Sequence, residues 1–249
     1  MRFALKLSLC GLVFWWPALR LWSSGASVGA GAAALALAGC SLVFLGLAYA
    51  LHAGGLPVAR SVTASPLRAA LWQAALAPWA VVAAFILLLC RLFTTEAAAD
   101  EVVPGLWVGS APLPGDAARL RARGIDAVLS LTAEFPEMAG LARGTWARVA
   151  MLDGAAPGVE DLSEAAAWAG ARRAEGKKVL VHCAQGHGRS ALVVAAVLLL
   201  EKRAATAELA WELVKRARPG AGLKPDQRAA LEAYCRDLAL PIKPTNSFR

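Results

Sequence analysis

At 249 residues the chain has room for one or two domains, but a 58% hydrophobic content and a mean hydropathy of +0.51 exceed what a water-soluble globule carries. The net charge of +8 divides as +5 before residue 100 and +3 after it, which excludes the concentrated basic face of a nucleic-acid binder. The five cysteines form no C-x-x-C metal pattern, and Cys10, Cys40 and Cys90 sit inside apolar segments, which excludes a disulfide-stapled scaffold.

The apolar excess lies in residues 1–95, the expected membrane region. From Leu7 to Leu19, 13 uncharged residues separate Lys6 from Arg20. A segment at about 5–22 can span, lie in the interface or act as a signal peptide: Trp15, Trp16 and Pro17 argue against a simple signal core, and the small-residue tract Ser23 to Ala26 argues for one. Residues 28–51 lack charge and are rich in Ala, Leu and Gly, enough to cross about 30 Å of hydrocarbon as a helix. A further uncharged run lies between Arg68 and Arg91, giving a span at 69–91, and Pro78 within it is tolerated in lipid. Two or three spans are therefore expected. With two, Arg2, Lys6 and Arg20 place the C-terminal part in the cytoplasm; with three, Arg60 and Arg68 share a side with Arg2 and Lys6 and favour the opposite placement. The alanine- and arginine-rich composition suits a multi-pass bacterial inner-membrane protein.

Past "EAAAD", residues 100–249 read as one α/β domain. "VVPGLWVGS" suggests two short strands around a Pro-Gly turn, "DAARLRARGI" a helix closed by Gly124, "DAVLSL" a buried strand and "TWARVAML" a strand ending at Asp153. "VEDLSEAAAWAGARRAEG" has helical periodicity and stops at Gly176, "KKVLVHC" reads as a central strand, and Ala191 to Leu200 is too short to span and reads as a core helix. Strands alternating with helices imply a mostly parallel sheet flanked by helices. Cys235 falls in a helical pattern and reads as core.

The stretch "VHCAQGHGRS" carries the chemistry. A strand ends at Cys183 and a helix begins near Arg189, so the N–H groups of Ala184, Gln185, Gly186, His187 and Gly188 can converge on an anion at a helix N-terminus. The same field favours the Cys183 thiolate, and the Arg189 fork suits two phosphoryl oxygens. A buried cysteine in a glycine-containing turn is the bland alternative, but such a turn does not require an arginine six positions on, followed by serine.

"HCAQGHGRS" resembles the signature loop of the cysteine-dependent protein tyrosine phosphatase superfamily, His-Cys-x5-Arg-Ser/Thr. "PGLWVGS", "GIDAVLSLT" and "RPGAGLKPDQRAALEAY" are similar to segments of its dual-specificity members, so the likeness covers roughly residues 102–240. The resemblance implies phosphomonoester hydrolysis through a phosphocysteine on Cys183, with Arg189 as phosphate clamp, Ser190 aiding departure of the cysteine and His182 organising the loop. Asp153 in "MLDGAAP" is the matching general acid, with Glu160 and Asp161 as fallbacks that also suit a helix start. No metal or cofactor is implied. His187 stands where some phosphoinositide phosphatases carry lysine, and it also fits a solvent-facing loop residue. Three substrate readings follow: phosphotyrosine, phosphoserine or phosphothreonine in proteins; a phosphorylated glycerolipid or phosphoinositide head group; or an inactive phosphate-binding module. The thiol needs a reducing compartment, which favours a cytoplasmic catalytic domain beside a lipid bilayer. Nothing in the sequence sets the oligomeric state.

Overall fold

The computed structural model describes residues 2–23, 29–56, 58, 65–113, 115–135 and 144–239. Residues 24–26 of the small-residue tract and Arg60 lie outside the described residues. The chain forms two compact units: the described residues up to Glu96 together with Ala133–Phe135 make up one, and Ala97–Thr132 with Gly144–Ala239 the other.

The first unit is helical: α1 (Arg2–Trp22), α2 (Gly29–Ala53) and α3 (Pro66–Phe93). Ser65 caps α3 by accepting from Arg68 N at 3.3 Å, and Pro66 supplies the preset φ of a first helical position. Two helices are long and apolar enough to cross a membrane, Gly29–Ala53 at mean hydropathy 2.1 and Leu67–Phe93 at 2.2. Both expose apolar side chains, Leu37 and Leu47 on α2 and Val81, Phe85 and Phe93 on α3, while Leu45, Trp72, Leu76 and Leu87 are buried. Helix α1 is comparable in length, 21 residues, but keeps Lys6 and Arg20 near its ends. It packs on α2 through two glycines: a Cβ on Gly11 would lie 2.7 Å from the Gly39 carbonyl oxygen, and one on Gly39 would lie 2.8 Å from that of Gly11. Close backbone approach through small residues is how apolar helices associate when hydrophobic burial drives nothing. Phe44 and Trp72 join α2 to α3 in an edge-to-face contact at 5.2 Å.

The second unit is a five-stranded mixed sheet flanked by helices. Its strands are β1 (Ala99–Val103), β2 (Leu106–Ser110), β3 (Ile125–Thr132), β4 (Thr145–Met151) and β5 (Lys178–Cys183), in the order β1-β2-β5-β3-β4. β1 and β2 form the antiparallel hairpin around Gly105, whose φ of +79° is why the turn takes glycine. The other pairings are parallel. The helices are α4 (Asp116–Ala122), α5 (Val159–Ala174), α6 (Arg189–Leu200), α7 (Ala207–Ala217) and α8 (Pro225–Ala239). β4 stops at Met151 rather than Asp153, because its partner β3 ends at Thr132, opposite Met151, and leaves nothing for later residues to pair with.

Side-chain alternation explains the layers. Val179, Val181 and Cys183 join Leu106, Val108, Leu129 and Leu131 in the core shared with α5 to α8, whereas Leu180 faces Val128, Ile125 and Leu120 of α4. Helix α6 is buried from Arg189 to Leu199, which is why its sequence is apolar all round. Parallel strands deliver their carboxyl ends to one edge, so Ser110, Thr132, Met151 and Cys183 finish together.

Candidate active site

Cys183 ends the central strand, is buried, and turns its Sγ back toward the loop that follows. Gly186 N donates to Sγ at 3.2 Å, and Ser190 Oγ lies 3.4 Å from Sγ and 3.4 Å from the Gly109 carbonyl oxygen. Gly186 permits this return. Its φ is +81°, and a Cβ there would stand 2.5 Å from the Gly109 carbonyl carbon, so both backbone and space demand glycine.

The loop's polarity follows from where its carbonyls go. In a planar trans peptide the C=O and the next N–H point in opposite directions, and no described peptide bond is cis. His182 Nδ1 lies 3.3 Å from the Cys183 carbonyl oxygen; Ala111 N donates to that of Ala184 at 2.9 Å, Arg218 Nη2 to that of Gln185 at 3.1 Å, and Gly222 N to that of His187 at 3.0 Å. With these carbonyls held on the outside, the N–H groups of Ala184, Gln185, Gly186 and Gly188 turn the other way, the direction in which Gly186 meets Sγ. A concave set of N–H groups at the start of a helix is an anion cradle. Gln185 is exposed, Ala184, His187 and Gly188 are half-buried, and the His182 ring is buried on β5.

Arg189 opens α6 and is fully buried. Nη1 donates to the Met151 carbonyl oxygen at 3.0 Å and reaches that of Leu131 at 3.5 Å, so the ends of β3 and β4 fix the guanidinium. Nη2 faces Asp153 Oδ1 at 3.0 Å, while the Asp153 carboxylate is largely open to solvent. Asp153 leaves β4 in a turn completed by Gly154 at φ +66°. Asp161 and Glu160 lie instead in the first turn of α5, where acidic residues suit the helix dipole. Cys183, Ser190, Arg189 and Asp153, drawn from two loops thirty positions apart, thus form one cluster.

Three further residues belong to this neighbourhood, and no local motif marks them: Arg218, Lys224 and Gln227. Arg218 is the C-cap of α7, Lys224 Nζ donates to the Gly154 carbonyl oxygen at 2.9 Å, and the buried Gln227 donates through Nε2 to that of Ala155 at 3.2 Å. "RPGAGLKPDQRAALEAY" was legible only as a similarity to a helix pair. Contacts across 70 and 72 residues leave no periodic trace.

The family model "Dual specificity phosphatase, catalytic domain" matches residues 106–237, more than half of the chain. The chain belongs to the dual specificity phosphatase family. Similar dual specificity phosphatases include the mouse (Mus musculus) dual specificity protein phosphatase 12, 34% identical over 139 residues, which are 55% of this chain and 41% of that protein. The phosphatidylglycerophosphate phosphatase PTPMT2 of Arabidopsis thaliana is 30% identical over 148 residues, 55% of this chain and 62% of that one. The chain therefore spans less than two thirds of these relatives. Among solved structures, Tk-PTP in the active form superposes with a TM-score of 0.52 at 29% identity, covering 57% of this chain and 99% of that one. PTPMT1 in complex with PI(5)P shares the fold, with a TM-score of 0.52 at 21% identity over 57% of this chain and 97% of that chain.

Proposed function

We propose that this chain is a membrane-tethered phosphatase that hydrolyses phosphomonoesters through a phosphocysteine on Cys183. The observation that carries the reading is the convergence of a buried thiol, a turned-in loop and the Arg189 guanidinium beside Asp153. In the first step the Cys183 thiolate attacks phosphorus, the ester P–O bond breaks, and Asp153 gives its proton to the departing oxygen. Arg189 exchanges the Asp153 carboxylate for phosphoryl oxygens, and its carbonyl anchors keep the fork aimed during the change. In the second step Asp153 takes a proton from water as water attacks phosphorus. The S–P bond breaks, Ser190 Oγ stabilises the returning thiolate from 3.4 Å, and inorganic phosphate leaves.

The substrate reading that the chain's construction supports best is a phosphorylated lipid head group. Helices α2 and α3 have the length and hydropathy of membrane spans, and five residues of chain separate Phe93 from the first strand at Ala99. A catalytic domain tethered so briefly sees membrane-bound substrate at high effective concentration without any new contact. The similarity to a phosphatidylglycerophosphate phosphatase supports this reading. A second reading, a phosphoprotein substrate, is supported by the similarity to dual specificity protein phosphatase 12. The thiol mechanism calls for a reducing compartment, so the catalytic domain is placed in the cytoplasm. Turnover by the full chain on phosphorylated lipids in vesicles and on phosphotyrosine peptides, measured side by side, tests the choice. Preference for lipid is expected, and faster turnover of peptides would transfer the assignment to protein.

A further inference from the structure

The ten residues from the C-cap of α7 through the first turn of α8, Arg218 to Gln227, touch both halves of the active site. On one side, the Arg218 guanidinium, 2% exposed, donates through Nη2 to the Gln185 carbonyl oxygen at 3.1 Å. Its Nη1 donates to Asp100 Oδ2 at 2.6 Å and to the Ala97 carbonyl oxygen at 3.2 Å. Four residues on, Gly222 N donates to the His187 carbonyl oxygen at 3.0 Å. These contacts hold the carbonyls on either side of Gly186 outward, which turns the Gly186 and Gly188 N–H groups inward. On the other side, Lys224 Nζ and Gln227 Nε2 hold the carbonyls of Gly154 and Ala155, the two residues after Asp153. Gln227 Oε1 also accepts from Lys224 N at 3.1 Å, so the two donors are set relative to each other.

We propose that residues 218–227 are a positioning brace for both catalytic loops: Arg218 orients the phosphate-binding N–H groups, and Lys224 holds the Asp153 loop at the distance proton transfer needs. Neither residue reaches the reacting atoms; each acts through a backbone carbonyl. The inference rests on the reading of Asp153 as general acid. A misplacement of about 1 Å from a remote change is enough to cost on the order of 10²-fold in rate. Lysine cannot replace Arg218, because one ammonium cannot donate toward Gln185 on one side and Asp100 on the other with a planar fork.

The test uses the full chain in detergent micelles with two aryl phosphates, phenyl phosphate, whose leaving group needs a proton, and 2,4-dinitrophenyl phosphate, whose leaving group does not. Lys224→Met, at an exposed side chain, should lower kcat on phenyl phosphate by about tenfold or more, with a much smaller loss on the dinitrophenyl ester and no change in vanadate inhibition. Lys224→Arg should restore turnover. Equal losses on both esters, or none, overturn the acid-loop half. Asp153→Asn, run in parallel, separates the two readings. If Asp153→Asn discriminates between the esters and Lys224→Met does not, the brace falls and the acid stands. If Asp153→Asn fails to discriminate, the acid assignment falls and the acid-loop half falls with it. Arg218→Lys should weaken vanadate inhibition by about tenfold at an unchanged melting temperature. Unchanged inhibition overturns the phosphate-loop half. Should Arg218→Lys melt early, Asp100→Asn, which keeps the guanidinium and removes its charge partner, carries the same comparison.

Discussion

Arg189 Nη2 and Asp153 Oδ1 stand 3.0 Å apart, a buried cation facing a carboxylate that is 73% exposed. In the proposed mechanism the pair joins the phosphate clamp to the acid, and the carboxylate occupies the fork face that an incoming phosphoryl group would need. Asp153→Asn removes that competing charge while keeping the shape. Turnover should fall by roughly 10²–10⁴-fold, the usual worth of a general acid, while vanadate or phosphate binds as tightly as before or more so. Rate assays paired with calorimetric binding check this, and weaker anion binding in the variant would contradict it.

Gly186→Ala tests the loop itself. The positive φ alone costs about 1–3 kcal/mol for a residue with a side chain. The Cβ would also press on the Gly109 carbonyl carbon at 2.5 Å, in the backbone of β2, which cannot swing aside as a flexible side chain would. Turnover should be lost and the melting temperature lowered. A variant with wild-type activity would show that the loop does not need this conformation.

The strands and helices of the catalytic unit were readable because each lies within one stretch of chain. The continuous apolar run in "KKVLVHC" and the unbroken apolar run after Arg189 both report burial directly. The signature loop was readable for the same reason, since Cys183, Gly186, Arg189 and Ser190 lie within eight positions. Asp153 could be singled out only through the family resemblance, and it is the geometry that sets it against Arg189. Arg218, Lys224 and Gln227 escaped notice because each reaches across 33 to 72 residues to a backbone carbonyl, and carbonyls carry no residue identity. The close approach of Gly11 and Gly39 was hidden likewise, for glycine in an apolar segment looks the same whether or not a helix packs on it.

That helix contact makes its own prediction. Gly39→Leu would drive a side chain into the Gly11 carbonyl and the Trp15 indole, whose atoms already lie within 3.1 Å of a bare Cβ. Separation of α1 from α2 should appear as earlier unfolding in a detergent titration, with aryl phosphate turnover preserved at low detergent because the site lies on other residues. Unchanged resistance to unfolding would show that the glycine contact contributes nothing.

Tyr234, buried on α8, sets an alkaline limit. Burial raises its phenol above the ordinary value near 10, because the ionised form would lose its hydration. With the folded pKa above the unfolded one, the stability this provides is complete below about pH 10 and is lost as pH climbs through the folded value. Tyr234→Phe should flatten the fall of melting temperature above that pH and leave neutral stability nearly unchanged. An identical alkaline slope would assign the loss to other groups.

In the proposed mechanism phosphate passes through Cys183. The most direct measurement is acid quenching of full-length Asp153→Asn during turnover of an aryl phosphate, followed by mass spectrometry of the peptide containing "VHCAQGHGR". The expected result is a phosphoryl group on Cys183, absent in a Cys183→Ser, Asp153→Asn double variant, with Cys183→Ser alone inactive. A phosphoryl group on another residue, or turnover that survives Cys183→Ser, would contradict the mechanism.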